Sequence, residues 1–243
     1  MKYLVIFATL IFTATAFAQK PAQTAKEAGS PAGQGFATEI ELAKKTLAAH
    51  GGDAFAKMTS LTVIGSVDVT TSAMNQAIPA TFITIFAGDK YRLEINNPFQ
   101  PIKQVYDGTQ TSSTVRGFNL PPINRLGLPL LPNIGRQGFI VTALPTGKKK
   151  KGFRMTSPDG YHTDFYVDEK TGRVKGYDSS YTLRRRNVTT SVEIDKYAEV
   201  EGVVVPEKYA QRFDVEQMTV WAAFKAKEIK VNQKIADDVF AID

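Results

Sequence analysis

Apolar and polar residues alternate along most of the chain from Leu61 onward. If the stretch LTVIGSVDVTT is an extended strand, its polar side chains lie on one face. Its apolar side chains lie on the other face, at Leu61, Val63, Val67 and Val69. Gly65 falls on the apolar face, where a glycine is typical of a bend or bulge. Later stretches repeat the alternation around turn pairs such as Gly-Asp and Asp-Gly, without a long helix between them. The pattern predicts an antiparallel meander.

A helical pattern precedes the strands. In IELAKKTLAAH, apolar residues recur at helical spacing at Ile40, Ala43 and Leu47. Thr38 and Glu41 have the spacing of a capping box, which predicts Thr38 as the residue that caps the helix N-terminus. The two glycines after His50 predict the helix end, since glycine adopts left-handed conformations at little cost. His50 itself falls where a cationic side chain would suit the helix dipole.

We expect the large apolar side chains of the strands to share one inner surface. These candidate ligand-binding residues are Phe82, Phe86, Tyr91, Leu93, Phe165, Val167, Phe213 and Trp221. Alternation of this kind builds a filled core as readily as the wall of a hollow, so the sequence leaves both alternatives open.

The segment from residue 117 to 144 interrupts the alternation. It is rich in proline, which excludes a central strand or a helix interior, and it is too apolar for a solvated loop. We expect it to cover an apolar surface as a lid of short helical turns. The candidate lid residues are Leu120, Ile123, Leu126, Leu128, Leu130 and Leu131. A loop packed permanently on the core and a moving lid are both compatible with this composition.

The N-terminus changes the picture of where the protein acts. Residues 1–18 have a lysine, an apolar run and an Ala-Phe-Ala site, which together predict a secretory signal peptide cleaved after Ala18 and a periplasmic location. Residues 19–37 are poor in large apolar side chains and predict a flexible leader. The remaining residues, 38–243, are enough for one domain with a sizeable core. The chain has no cysteine, so disulfides and thiolate chemistry are excluded.

The formal net charge is +6 and includes two basic clusters. Their residues are Lys148, Lys149, Lys150, Lys151, Arg184, Arg185 and Arg186. We interpret the lysines as a solvated hairpin tip, marked by Gly147 and Gly152, and the arginines as a solvated strand edge. Attraction to an anionic membrane surface is the alternative. Nucleic acid is disfavoured as a partner, because no aromatic residues are interleaved with the basic runs.

No pattern of catalytic residues stands out. The carboxylates fall mostly at predicted turns, and with only two histidines a histidine metal site is not expected. Nucleotide-binding loops, nucleophile elbows and zinc-protease motifs are absent from the sequence. We therefore expect a monomer that is not an enzyme and has no cofactor.

The order of elements resembles the family of periplasmic lipoprotein-sorting factors, LolA and LolB, with the related sensor RseB. The resemblance rests on AHGGDAFAKMTSLTVIGSVDV, on GDKYRLEI before VYDGTQT, on FYVDEKTGRVKGYD, and on YAEVEGVVVPEKYAQRF before IKVNQKIADDVFAI. It implies a mainly β fold, a curved and incomplete antiparallel barrel with an N-terminal helix and a lid. It also implies a carrier that holds the acyl chains of lipoproteins or lipids in a hydrophobic cavity, for transfer toward the outer membrane. The alternative within the resemblance is an RseB-like envelope sensor that binds a protein partner and carries no cargo.

Overall fold

A computed structural model gives the structure of residues 36–72, 76–99, 101–114, 123–148, 150–183, 186–215 and 218–242. These residues fall within one compact unit. The expected signal peptide at residues 1–18, nearly all of the expected leader, and four candidate site residues lie outside the described part. Those four residues are Leu120, Lys149, Arg184 and Arg185. The expected domain boundaries remain predictions.

The described chain begins with two helices, α1 (Ala37–Ala49) and α2 (Asp53–Ala56). The predicted capping box is wrong: Phe36 is the N-cap of α1 and no side chain caps it, so Thr38 lies inside the first turn. The predicted end is confirmed, because Gly51 and Gly52 follow the C-cap residue His50 with φ of +109° and +53°. The apolar stripe of α1 buries Ala43 against the sheet.

The rest of the fold is one antiparallel sheet of 12 strands that does not close into a barrel. Its strands are β1 (Ser60–Thr71), β2 (Ile78–Ala87), β3 (Lys90–Asn96), β4 (Ile102–Tyr106), β5 (Thr111–Ser113), β6 (Ile140–Thr142), β7 (Gly152–Thr156), β8 (His162–Val167), β9 (Val174–Leu183), β10 (Arg186–Val200), β11 (Val203–Val215) and β12 (Met218–Val231). This confirms the prediction of a mainly β, curved antiparallel half-barrel with an N-terminal helix.

The first and last strands pair with each other, so the sheet runs β5-β4-β3-β2-β1-β12-β11-β10-β9-β8-β7-β6. The free edges are therefore β5 and β6, two short strands adjacent in sequence. Between them the chain forms two 3₁₀ helices, Ile123–Arg125 and Leu128–Asn133. We call residues 123–134 the covering segment, because they pack over one face of the sheet.

We call the face under α1 and the covering segment the inner face. The β1 residues predicted to share a face do so, and the pairing register shifts between Ile64 and Gly65, which confirms the predicted irregularity. Gly65 is needed there: a Cβ atom would lie 2.1 Å from the carbonyl oxygen of Lys225 and 2.8 Å from the ring of Phe82. A side chain at this position would push β1 away from β12.

Apolar residues are buried on both faces of the sheet. On the inner face, a first cluster joins Phe153 and Phe165 of the sheet to Leu130 and Leu131 of the covering segment and to Ala43 of α1. On the outer face, the C-terminal 3₁₀ helix Asp237–Phe240 covers a smaller cluster of Ile85, Val105 and Phe240. No helix among the described residues is both long and apolar enough to cross a membrane.

Candidate functional site

The inner face of the sheet is the candidate binding surface. Strand pairing fixes which side chains share it: Phe82 lies opposite Gly65, Phe86 opposite Leu61 and Tyr91, and Leu93 opposite Thr84. In the other half of the sheet, Phe213 of β11 pairs with Thr190 of β10. Phe165 and Val167 alternate along β8 with residues that point outward. Seven of the eight candidate residues thus lie on one face; they are Phe82, Phe86, Tyr91, Leu93, Phe165, Val167 and Phe213. That they bind a ligand remains a prediction.

Trp221 is on the other face, so its placement among the lining residues is a wrong prediction. The register pairs Trp221 with Thr70 and Arg212, one position out of step with Phe224 on the inner face. Its side chain is 44% exposed. Every residue from Val220 to Phe224 is apolar, so the alternation of hydrophobicity could not identify which set points inward.

A second cluster on the inner face consists of sheet residues alone, as far as the described residues show. Val67, Phe82, Ala222 and Phe224 form its buried part, and its partly buried neighbours also belong to strands. Phe224 contacts Phe82 edge to face with 5.1 Å between ring centroids, and Tyr209 stacks on Phe224 at 4.6 Å. Neither α1 nor the covering segment contributes to this cluster, in contrast to the first one.

The covering segment places five of the six candidate lid residues over the inner face. Leu128, Leu130 and Leu131 are buried in the first cluster, and Leu130 and Leu131 have no accessible surface. Leu126 packs separately against Tyr181 and its neighbours, and Ile123 is half-buried. The sixth candidate, Leu120, is outside the described residues.

Hydrogen bonds between uncharged groups connect the covering segment to both halves of the sheet. The side-chain amide of Asn124 donates to the carbonyl oxygen of Asp89, before β3, at 2.6 Å. The backbone N–H of Gly127 donates to Oγ1 of Thr163 at 3.0 Å, and Thr163 is in turn 2.9 Å from Oγ of Ser179. Since these bonds reach β3 at one end and β8 at the other, the segment spans the width of the inner face.

Gly127 of the covering segment lies close against the sheet. Its φ is +65°, and a Cβ atom there would lie 2.7 Å from the ring of Tyr177 and 2.8 Å from its hydroxyl oxygen. Only glycine combines this backbone conformation with the absence of a side chain. The ring of Tyr177 therefore lies directly beneath Gly127.

Among the described residues, charged side chains point away from the inner face. Along β12 the exposed Lys225 alternates with the buried Phe224 and Ala226, and along β8 Asp164 points outward between Thr163 and Phe165. Polar residues do occur on the inner face: Gln211 donates from Nε2 to Oγ1 of Thr190 at 3.0 Å. The inner face is thus mainly apolar, with neutral hydrogen-bonding groups on β8 to β11.

His50 connects α1 to the sheet as a neutral residue. Nδ1–H donates to the carbonyl oxygen of Val204 at 3.0 Å, and Nε2 accepts from the backbone N–H of Val174 at 3.1 Å. Burial lowers the pKa of His50, and nearby Arg173 lowers it further, against the raising effect of the Val204 hydrogen bond. The predicted position at the helix end is confirmed, but the expected cation is not, because a protonated Nε2 would face an N–H group.

The basic cluster at residues 148–151 is less solvated than its composition indicates. Lys148 lies on the outer face, where Nζ is 2.6 Å from Oδ2 of Asp178 and also hydrogen-bonds the hydroxyl of Tyr166. Burial opposes its charge, but those hydrogen bonds prevail and raise its pKa. Lys150 lies over the ring of Tyr166 at 4.4 Å, and Lys151 is 3.9 Å from Glu169. Lys148 is thus exposed, as predicted for a turn, but its ammonium group is paired with Asp178.

The rest of the basic surface is only partly described. The predicted turn into β7 is confirmed, with Gly147 at φ +95° and the strand beginning at Gly152. Arg186 begins β10, and the structure describes only its backbone. No group of three or more histidine or carboxylate side chains in the described ranges could hold a metal ion.

Sequence reasoning missed the tyrosines and hydroxyl residues of the inner face. Tyr177, Ser179 and Tyr181 share that face because they alternate along β9, opposite Val192, Thr190 and Val188. The alternation in GYDSSY carried this information, but a strand with polar residues on both faces gives no contrast by which to choose.

Several solved structures are similar to this fold. A DUF1329 family protein from Desulfovibrio piger superposes with a TM-score of 0.50 at 11% identity, covering 84% of this chain and 96% of its own. A LolA superfamily protein from Nitrosomonas europaea also gives 0.50 at 11%, covering 82% and 97%. An outer membrane lipoprotein-sorting protein domain from Vibrio parahaemolyticus gives 0.45 at 8%, covering 84% and 96%. No protein-family model matches the chain, and no curated protein matches it in sequence.

These similarities define a class by fold. The chain has a LolA-like fold, a curved antiparallel half-barrel with a helix and a covering segment on its inner face.

Proposed function

We propose that the protein is an exported carrier that binds the acyl chains of lipids or lipoproteins on its inner face and shields them from water. It acts by binding rather than by catalysis, and it works in the bacterial periplasm, delivering its cargo toward the outer membrane. The LolA-like fold supports this class of function, and so does the resemblance to a lipoprotein-sorting domain.

The observation that carries the proposal is the second cluster of the inner face. Val67, Phe82 and Phe224 are themselves buried by neighbouring strand residues. Around them, Val69, Ile95 and Tyr209 are only partly buried and keep surface that, within the described residues, no helix or covering segment packs against. Each buried CH₂ group of a ligand would contribute about 0.8 kcal/mol, so one acyl chain along this surface is enough for tight binding without charged contacts.

The covering segment supports the proposal because few polar contacts among the described residues hold it. Asn124 and Gly127 make hydrogen bonds that each contribute about 1 kcal/mol, and Arg125 lies 3.5 Å from the exposed Asp159. Cargo that displaces the segment would also uncover Leu130 and Leu131, at about 1.5–3 kcal/mol for each side chain. A receptor that favours the displaced form would then promote release.

The test is uptake of a fluorescent fatty-acid probe by the purified protein, with native mass spectrometry to detect lipid that copurifies. Leu93→Asp and Phe86→Asp place a charge on the inner face, and we expect each to reduce probe binding by tenfold or more, since burying a charge is costly. Ile140→Asp is the matched control, because Ile140 is 58% exposed on a strand at the sheet edge.

Unchanged binding in folded Leu93→Asp and Phe86→Asp proteins would exclude the inner face as the binding surface. The carrier function itself would be excluded if the native mass spectrum shows the mass of the protein alone and the unaltered protein takes up no probe. In that case the search would turn to a protein partner, as in an RseB-like sensor.

A further inference from the structure

Two tyrosines stand on the inner face between the apolar clusters. Tyr177 of β9 packs against the first cluster, and its ring contacts Phe165 with 6.0 Å between centroids. Tyr209 of β11 packs against the second cluster and stacks on Phe224. Only β10 separates their strands, which are therefore about 10 Å apart. Nearby Tyr177 adds to the effect of burial in raising the pKa of Tyr209.

The hydroxyl groups of this pair have no partners. Within the part of the chain that the structure describes, neither Tyr177 nor Tyr209 makes a side-chain hydrogen bond, and burial is the leading cause that raises the pKa of each. Two other tyrosines do have partners: Tyr197 donates to the carbonyl oxygen of Val174 at 2.5 Å, and Tyr91 accepts from Gln104. A buried tyrosine hydroxyl normally finds a partner, since leaving it without one costs about 1–3 kcal/mol.

Both side chains also keep accessible surface. Tyr177 and Tyr209 are half-buried, and neither hydroxyl oxygen is among the fully buried side-chain oxygens of the described residues that lack a partner. Part of each side chain is therefore open to a small molecule. A small polar group that enters there could reach both phenols.

The surroundings restrict the charge of that group. Nearby polar side chains of the inner face are neutral, namely Gln211, Thr190, Ser179 and Thr163. Described charged residues of the same strands, such as Asp178 and Lys208, alternate with the inner positions and point outward. An ionised head group in this place would lose its hydration without gaining an opposite charge.

We propose that Tyr177 and Tyr209 form a subsite that hydrogen-bonds an uncharged ester, amide or hydroxyl group of an amphiphilic ligand. The apolar part of the ligand then lies along the second cluster, on its partly buried residues Val69 and Ile95. Gly127 of the covering segment sits over Tyr177, so the polar end of the ligand lies nearest the covering segment. This inference rests on the proposed carrier function and names the chemistry of its cargo.

The test compares ligands of equal chain length that differ in their head group. Monolauroylglycerol carries a neutral ester and hydroxyls, laurate carries an anion, and dodecane carries no polar group. We expect the unaltered protein to prefer monolauroylglycerol to laurate at neutral pH. In the Tyr177→Phe/Tyr209→Phe variant, we expect affinity for monolauroylglycerol to fall about tenfold or more, and affinity for dodecane to stay unchanged.

Tyr166→Phe is the matched control, because it removes a hydroxyl from the outer face of β8, where Tyr166 contacts Lys148 and Asp178. Circular dichroism establishes that each variant is folded. The subsite is excluded, and the carrier function stands, in either of two outcomes. The double variant binds monolauroylglycerol as tightly as the unaltered protein does, or its affinity for dodecane falls as much as its affinity for monolauroylglycerol. If the unaltered protein binds none of the three ligands, the carrier function fails and the subsite fails with it.

Discussion

Two regions of the inner face arise from the same alternating pattern but differ in what packs on them. In the first, Phe153 and Phe165 are covered by α1 and by Leu130 and Leu131. In the second, around Phe82 and Phe224, the described contacts come from neighbouring strands alone. Alternation along a strand therefore specifies that a face is apolar, but not whether the protein's own chain fills the space above it.

The largest expected effect on stability comes from creating a cavity in the first region. Leu130→Ala removes a side chain with no accessible surface, so we expect the free energy of unfolding to fall by about 2–5 kcal/mol in urea titrations. Leu93→Ala, at a half-buried position on the other part of the inner face, should cost less than about 2 kcal/mol. Equal losses in the two variants would mean that both regions are equally filled.

Gly127→Ala tests whether the covering segment is held closely against the sheet. The new methyl group would meet Tyr177 at 2.7 Å, in a backbone conformation with φ of +65°, and we expect a cost of about 1–3 kcal/mol. Limited proteolysis should cut the covering segment of this variant faster. Gly135→Ala is the control: its φ is +82°, but nothing lies within 4 Å of the added atom. Equal cleavage of both variants would argue against close packing at Gly127.

A change of pH should act on the first region through His50. The pKa of His50 is lowered below its ordinary 6.5 on folding, so the folded protein binds fewer protons than the unfolded chain. Its contribution to stability is complete above about pH 6.5 and is lost as the pH falls toward the lower pKa of the folded state. We expect urea midpoints to decrease between about pH 7.5 and pH 5, and to decrease less in His50→Asn. An equal decrease in the variant would assign the effect to other groups.

The smallest expected effect is on the outer face. Lys148→Gln breaks the contact with Asp178 and should lower the free energy of unfolding by about 1 kcal/mol, because both groups are partly shielded from solvent. Lys151→Gln, which loses only a long contact with Glu169, should change it by less than about 0.5 kcal/mol. If both variants match the unaltered protein, Lys148 is as solvated as its neighbours in sequence.

Much of the fold could be predicted from the sequence because it depends on local periodicity and turn residues. The strands, the bulge at Gly65 and the helix end at Gly51 all follow from patterns within about ten residues. The site depended on contacts that such patterns do not contain. Asp178 meets Lys148 only because β8 and β9 pair, and Tyr177 meets Gly127 only because the covering segment folds back over the sheet.

Errors in the site occurred where the pattern lacked contrast. Trp221 lies in a run of apolar residues, so the alternation could not show which face it occupies. Its large apolar side chain suggested an inward position. Thr38 has suitable spacing for a cap, but the helix begins one residue before it. A shift of one residue in the strand, or of two at the helix start, is enough to change the role of the side chain.

The pairing of β1 with β12 has a consequence for how the protein is made. This seam joins residues as distant in sequence as Leu61 and Val231, and it lies in the middle of the sheet. A chain that emerges N-terminus first cannot complete the centre of the sheet until β12 has appeared, and loop closure over such a distance is slow. Until then β1 and β11 each present an unpaired edge, so the nascent protein needs protection from aggregation until β12 has been made.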